Sequence, residues 1–158
     1  MGSYGGPERR GFTLIELLSV LVIIGTLAGI AIPKFRQIVY LAQVTKAIGD
    51  ISIIGKEIDA AVAGGGPLPT SLSEIGRGGL LDPWGRPYQY LKFDTKGKGK
   101  GAPGAARKDR FLVPINSSFD LYSFGRDGKS SPPLTASGSR DDIVRANDGG
   151  FVGLASKY

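Results

Sequence analysis

Arg9-Arg10-Gly11-Phe12-Thr13-Leu14-Ile15-Glu16-Leu17-Leu18-Ser19-Val20-Leu21-Val22-Ile23-Ile24 sets one carboxylate inside an apolar stretch, directly behind a short Arg-rich leader. From Phe12 to Ile32 the chain holds 21 residues in which Glu16 is the only ionisable side chain. At ~1.5 Å per residue, a helix of that length matches a hydrocarbon core of roughly 30 Å. A carboxylate at that depth costs on the order of a few kcal/mol unless something pairs with it, so Glu16 reads as a functional residue. A cleaved secretory signal would have a shorter apolar region, roughly 7 to 15 residues, ending in a small-x-small cut site, and no such site clearly ends this run. An ordinary single-pass anchor accounts for the length but gives no reason for the acid.

The helical pattern continues beyond the span. Phe35, Ile38, Ala42, Ile48, Ile51, Ile58 and Val62 recur mostly at helical steps, with Lys34, Gln37, Lys46, Asp50, Lys56 and Asp59 supplying polar positions. One helix from about Thr13 to Ala63 is expected. Residues 12–33 would be its transmembrane part before assembly, and residues 34–63 would lie against a globular domain. Gly64-Gly65-Gly66-Pro67 should stop it, because Gly lowers helix propensity and Pro cannot donate into the ladder. Pro33 removes the hydrogen bond that the Gly29 carbonyl would otherwise receive. Together with Gly25 and Gly29 it marks either a hinge or a close-packing face for helix association.

Past the helix, residues 67–76 read as a loop and a short helical turn, with Thr70 or Ser71 as cap and Glu74 in reach of a capping box. Strands are expected over 88–93, 110–115 and 118–124, where apolar and aromatic runs are bounded by turn residues. Three short antiparallel strands facing a long helix give an α+β domain over residues 34–158. A chain of 158 residues permits one anchor helix and one such domain. There is no cysteine, so no disulfide, thiolate metal site or cysteine nucleophile is available. With no histidine the common catalytic triads lack their base and zinc is poorly served. Asp127-Gly128-Lys129-Ser130 looks like the end of a phosphate-binding loop, but Ser123 stands where that motif needs glycine. The chain is therefore not expected to be an enzyme.

The formal charge is +6, and much of the excess lies in Lys92, Lys96, Lys98, Lys100, Arg107, Lys108 and Arg110, within a Gly-rich stretch. Such composition reads as a solvated loop, or as a site for an anionic partner. No aromatic residue is interleaved for base stacking, which speaks against nucleic acid.

The run from Arg9 to Glu16 resembles the processing and assembly signature of type IV pilins and of the pseudopilins of type II secretion. The resemblance implies a leader of residues 1–11, cut between Gly11 and Phe12 by a prepilin peptidase that also N-methylates Phe12. It implies that Glu16 meets the N-terminal amine of a neighbouring subunit in a homopolymer. Asp82-Pro83-Trp84-Gly85-Arg86-Pro87-Tyr88-Gln89-Tyr90 and Phe119-Asp120-Leu121-Tyr122-Ser123-Phe124-Gly125-Arg126-Asp127-Gly128 resemble blocks of the major pseudopilin. A pilin-like fold and a structural role in a pseudopilus that drives protein export follow. So do a single-pass stage in the bacterial inner membrane with the domain in the periplasm, and a fibre that is periplasmic or extracellular. The implied partners are an assembly ATPase, a platform membrane protein and minor pseudopilins. Two rivals remain open: a type IV pilin of a surface fibre for adhesion, motility or DNA uptake, and a membrane-anchored binding module.

Hard oxygens gather in the C-terminal loop, where Asp127, Asp141 and Asp142 stand among several serines. That chemistry suits Ca²⁺. The resemblance assigns ligands to Asp127, the carbonyl of Phe124 and Asp142, with Asp141 as the competing carboxylate. The alternative is that these acids are turn residues and caps. The tail, residues 144–158, is longer than is usual in that family, and Phe151, Val152 and Leu154 are expected to pack on the core or on a neighbour. Trp84 reads as filler between a turn and the sheet.

Overall fold

A computed structural model describes residues 11–93 and 104–158. The leader residues 1–10 and the lysine-rich run 94–103, most of the expected solvated loop, lie outside the described residues. Helix α1 occupies Leu14–Ala63 and continues through Pro33. It closes where expected: Gly64 N–H donates to the Ala60 carbonyl at 3.0 Å and Gly66 N–H to the Ala61 carbonyl at 3.2 Å. The chain divides into two compact units, Met1–Tyr40 and Leu41–Tyr158. In the first, the large apolar side chains from Phe12 to Val39 are exposed, and α1 is long and apolar enough there to cross a membrane.

The second unit is built on the rest of α1. Val44, Ala47, Ile51, Ile54 and Ile58 recur at three- and four-residue steps and are buried. Beside them lies a four-stranded antiparallel sheet in chain order: β1 (Gln89–Lys92), β2 (Phe119–Ser123), β3 (Ile143–Ala146) and β4 (Phe151–Leu154). Both faces of the sheet are covered. On one, the Arg145 guanidinium lies 4.1 Å from the Phe119 ring centre and 3.3 Å from Asp59 of α1. On the other, Val144 and Ala146 pack with Ile115, Leu134 and Ala155, joined by Tyr122, Phe151 and Tyr158. Two-sided cover explains why the polar residues Asp120 and Ser123 of β2 are buried. Every buried hydrophobic residue among those described lies at Val44 or later, so this unit carries its own core.

Two expectations are corrected. Residues 110–115 form no strand, since Asp109 N–H donates to the Leu112 carbonyl at 2.9 Å and Pro114 has no N–H for a ladder. The tail packs on the core through Phe151, as expected, and it also supplies two strands that were not expected, β3 and β4. Their connection, Asn147-Asp148-Gly149-Gly150, holds Asn147 and Asp148 at φ of 50° and 52°. Left-handed conformations favour Asn, Asp and Gly, so this cluster between Ile143-Val144-Arg145-Ala146 and Phe151-Val152-Gly153-Leu154 is a legible hairpin signal. The expected turn after the helix is a short 3₁₀ segment, Leu72–Ile75, and its capping partner for Glu74 is Thr70.

Candidate functional site: the helix terminus and the C-terminal loop

Gly11, Phe12 and Thr13 precede α1, and all three are exposed, Phe12 at 85%. The first turn is closed by a reciprocal pair. Thr13 N–H and Thr13 Oγ1–H both donate to Glu16 Oε2 at 2.8 Å, while Glu16 N–H donates to Thr13 Oγ1 at 3.3 Å. This is a capping box, in which residue and cap each satisfy an amide that the helix leaves unpaired. Glu16 is thus held at the positive end of the helix, four residues from Phe12. The Thr13-x-x-Glu16 spacing is the sequence signal of this box.

The two downstream blocks that carry the pseudopilin resemblance meet in space. Asp82 is buried, and its Oδ1 accepts the amides of Trp84 at 3.0 Å and Arg86 at 2.8 Å, folding the Pro83-Trp84-Gly85 turn. Its Oδ2 accepts Ser123 Oγ–H of β2 at 2.6 Å. Arg86 Nη1–H reaches the Gly125 carbonyl at 2.9 Å. Gly125 has φ of 64°, and a Cβ there would fall 2.1 Å from the Asp141 carbonyl oxygen, so the loop's return is packed against the end of β2. Trp84 is half-buried beside this turn, as filler was expected to be.

The acids of the loop separate into two sets. Asp127 N–H donates to Asp141 Oδ2 at 2.9 Å, and Asp127 Oδ1 accepts Lys129 N–H at 2.7 Å; both contacts are exposed. Phe124 stands at the end of β2, its ring 5.8 Å from that of Tyr122. Asp142 is fully buried and has other partners, its Oδ2 accepting from Arg107 Nη2 and Ser130 Oγ. Arg107 also donates to the Ser131 carbonyl and to Ser130 Oγ, lies 3.9 Å from the Tyr122 ring centre, and offers its backbone N–H to Asp120 at 2.6 Å. Arg107 was expected in a solvated basic loop; it is instead 2% exposed and ties residues 130–142 to β2. Lys92 is likewise engaged, donating to the Leu68 carbonyl at 2.6 Å. Burial pushes the Asp142 carboxyl up to about 6 against the lowering by Ser130 and Arg107, and its Oδ1 is buried with no hydrogen-bond partner among the described residues.

For a metal, this arrangement has a plain consequence. Among the described residues no three acidic side chains gather closely enough to hold an ion. The Asp127–Asp141 pair has the hard-oxygen chemistry a Ca²⁺ ion takes, with carbonyls and water needed to complete six to eight ligands. Asp142 differs from that pair in being buried, with its Oδ2 already bonded to Arg107 and Ser130 and its Oδ1 left without a hydrogen-bond partner among the described residues.

The sequence was compared with known proteins. Residues 7–32 match the family model described as the prokaryotic N-terminal methylation motif. The chain is 34% identical over 143 residues to type II secretion system core protein G of Pseudomonas aeruginosa, covering 77% of this chain and 87% of that protein. The chain belongs to the type II secretion system core protein G family. The core protein G of Dickeya chrysanthemi is 27% identical over 152 residues and is covered to 98%. A fimbrial protein of Pseudomonas aeruginosa is 40% identical, but over 63 residues, 41% of its length. No solved structure matches the chain. The likeness to core protein G reaches beyond the N-terminal motif into the domain, where the contacts described above lie.

Proposed function

We propose that the chain is a structural subunit of a type II secretion pseudopilus, made as an inner-membrane precursor and polymerised through α1 to drive protein export. The observation that carries this is similarity to core protein G along most of both chains, against a fimbrial likeness confined to 63 residues. The precursor is cut between Gly11 and Phe12 by a prepilin peptidase, with N-methylation of Phe12, and the exposure of residues 11–13 suits such an enzyme. Before assembly the domain faces the periplasm. Residues 12–33 sit in the bilayer, where the Thr13 contacts keep the Glu16 carboxylate hydrogen-bonded.

In the fibre, Glu16 exchanges those contacts for the amine of Phe12 on the adjacent subunit. Leaving either charge unpaired in an apolar fibre core would cost several kcal/mol, so wrong axial registers are rejected. The chain has no nucleotide-binding motif, and work to lift it from the membrane comes from an assembly ATPase acting with a platform membrane protein; minor pseudopilins cap the polymer. Ca²⁺ belongs to the Asp127–Asp141 edge with the Phe124 carbonyl, where it would supply a cross-link holding the long loop to the end of β2. Glu16→Ala tests the assembly step: the variant should be cut normally, accumulate in the membrane and form no fibres. Normal fibres from Glu16→Ala would overturn the register argument.

A further inference from the structure

Residues 109–114 form a finger whose tip is apolar. Its base is pinned on both sides: Ile115 N–H donates to the Arg107 carbonyl at 3.0 Å, Lys108 N–H to the Pro132 carbonyl at 3.1 Å, and Leu134 N–H to the Lys108 carbonyl at 2.9 Å. Arg107, at the base, is itself buried. At the tip, Phe111 is 89% exposed, Leu112 47% and Val113 71%. Elsewhere in residues 41–158 the exposed large hydrophobics among those described, Leu41, Ile53, Val62 and Leu81, stand singly. Scattered apolar residues need no explanation, but three in a row on a pinned loop do.

The surroundings of the tip are basic. Lys108 and Arg110 flank it in sequence, and a cleft of about 360 Å³ beside it is lined by Asp109, Arg110, Leu134, Thr135, Arg140 and Tyr158. Lys108, Arg110 and Arg140 against Asp109 leave a positive surface around an apolar point. That pairing of chemistries is what an interfacial membrane element carries: apolar side chains enter the headgroup boundary, and guanidinium groups take phosphate oxygens. A protein contact would be served by a tip that meets an apolar groove without these cations beside it.

We propose that the 109–114 finger docks on an anionic phospholipid surface, with Phe111 and Val113 inserted and Arg110 and Arg140 engaging headgroup phosphates. A chain whose α1 is long and apolar enough to cross a membrane meets such a surface at its own anchor. The proposal rests on the membrane stage of the reading above, but its test needs neither cleavage nor polymerisation.

The fragment Leu41–Tyr158, which carries its own core, is sedimented with vesicles of phosphatidylglycerol and phosphatidylethanolamine, and with phosphatidylcholine vesicles as the neutral arm. Its oligomeric state is followed by analytical ultracentrifugation. Binding to the anionic vesicles is expected, weakened about tenfold by the double variant Phe111→Ser with Val113→Ser and similarly by Arg110→Ala with Arg140→Ala, with unchanged melting temperature since these side chains lie at the surface. Little binding is expected in the neutral arm. Absence of binding to anionic vesicles, or binding that the finger variants leave intact, refutes the proposal. A fragment that self-associates through the finger, becoming monomeric in the Phe111→Ser, Val113→Ser variant without any vesicle binding, assigns this face to a second copy and refutes it as well.

Discussion

The two halves of α1 share a backbone and nothing of their surroundings. Between Phe12 and Val39 large apolar side chains point outward at every turn, whereas from Val44 to Ile58 they recur on one stripe and are buried. Continuous hydrophobicity is what a helix shows when its solvent is lipid or other helices; a stripe is what it shows when one side meets a sheet and the other meets water. The first half therefore contributes to assembly and little to the stability of the isolated domain, and the second half does the reverse.

Substitutions should expose that division most strongly at Arg107. Replacing it by Met leaves Asp142 buried without its counter-charge, a loss of about 3–5 kcal/mol. Chemical denaturation of the domain should show this as a large fall in midpoint, while Ile24→Ala, in the exposed half, leaves the domain's unfolding unchanged. If Ile24→Ala destabilised the domain comparably, the two halves would not be energetically separate.

A smaller effect should appear with pH. The folded Asp142 carboxyl, raised by burial to about 6 from an ordinary value of 3.8, holds its proton after the unfolded chain has lost it. Its contribution is fully present below about pH 3.8 and is lost as pH rises through about 6, so melting temperature from this group falls across that window. Burial shifts Asp120 in the same direction. In Asp142→Asn the fall between pH 4 and 6 should shrink; an unaltered profile would mean that another group titrates.

The smallest expected change is the response to calcium. Adding the ion should raise the melting temperature of the domain by a few degrees, and chelation should reverse it. Asp127→Asn or Asp141→Asn should abolish the response while Asp142→Asn keeps it. Retention of the response in both of the first two variants would remove the ion from this edge of the loop.

The legible parts of this chain were those governed by local chemistry. The apolar run, the end of α1 at three glycines and a proline, β1 and β2 all follow from neighbours in sequence. What escaped was non-local. Residues 110–115 have the composition of a strand but no partner, because the positions beside β2 are taken by β1 and β3. Arg107 sits in a basic stretch whose composition says solvent, yet it is drawn inward by Asp142, 35 residues away, and by the Tyr122 ring. Asp141 and Asp142 are adjacent and face different partners, which spacing alone could not divide. The hairpin of β3 and β4 was within reach, since Asn147-Asp148-Gly149 is a strong turn signal, but its four-residue strands and the charge of Arg145 hid it.

The central claim is that the first half of α1 becomes an assembly element by being given a new N-terminus next to Glu16. Intact-mass measurement of the membrane-extracted protein tests this directly. The account predicts a chain that begins at Phe12 and carries one added methyl group. A mature protein that retains Met1, or begins at any residue other than Phe12, would contradict it.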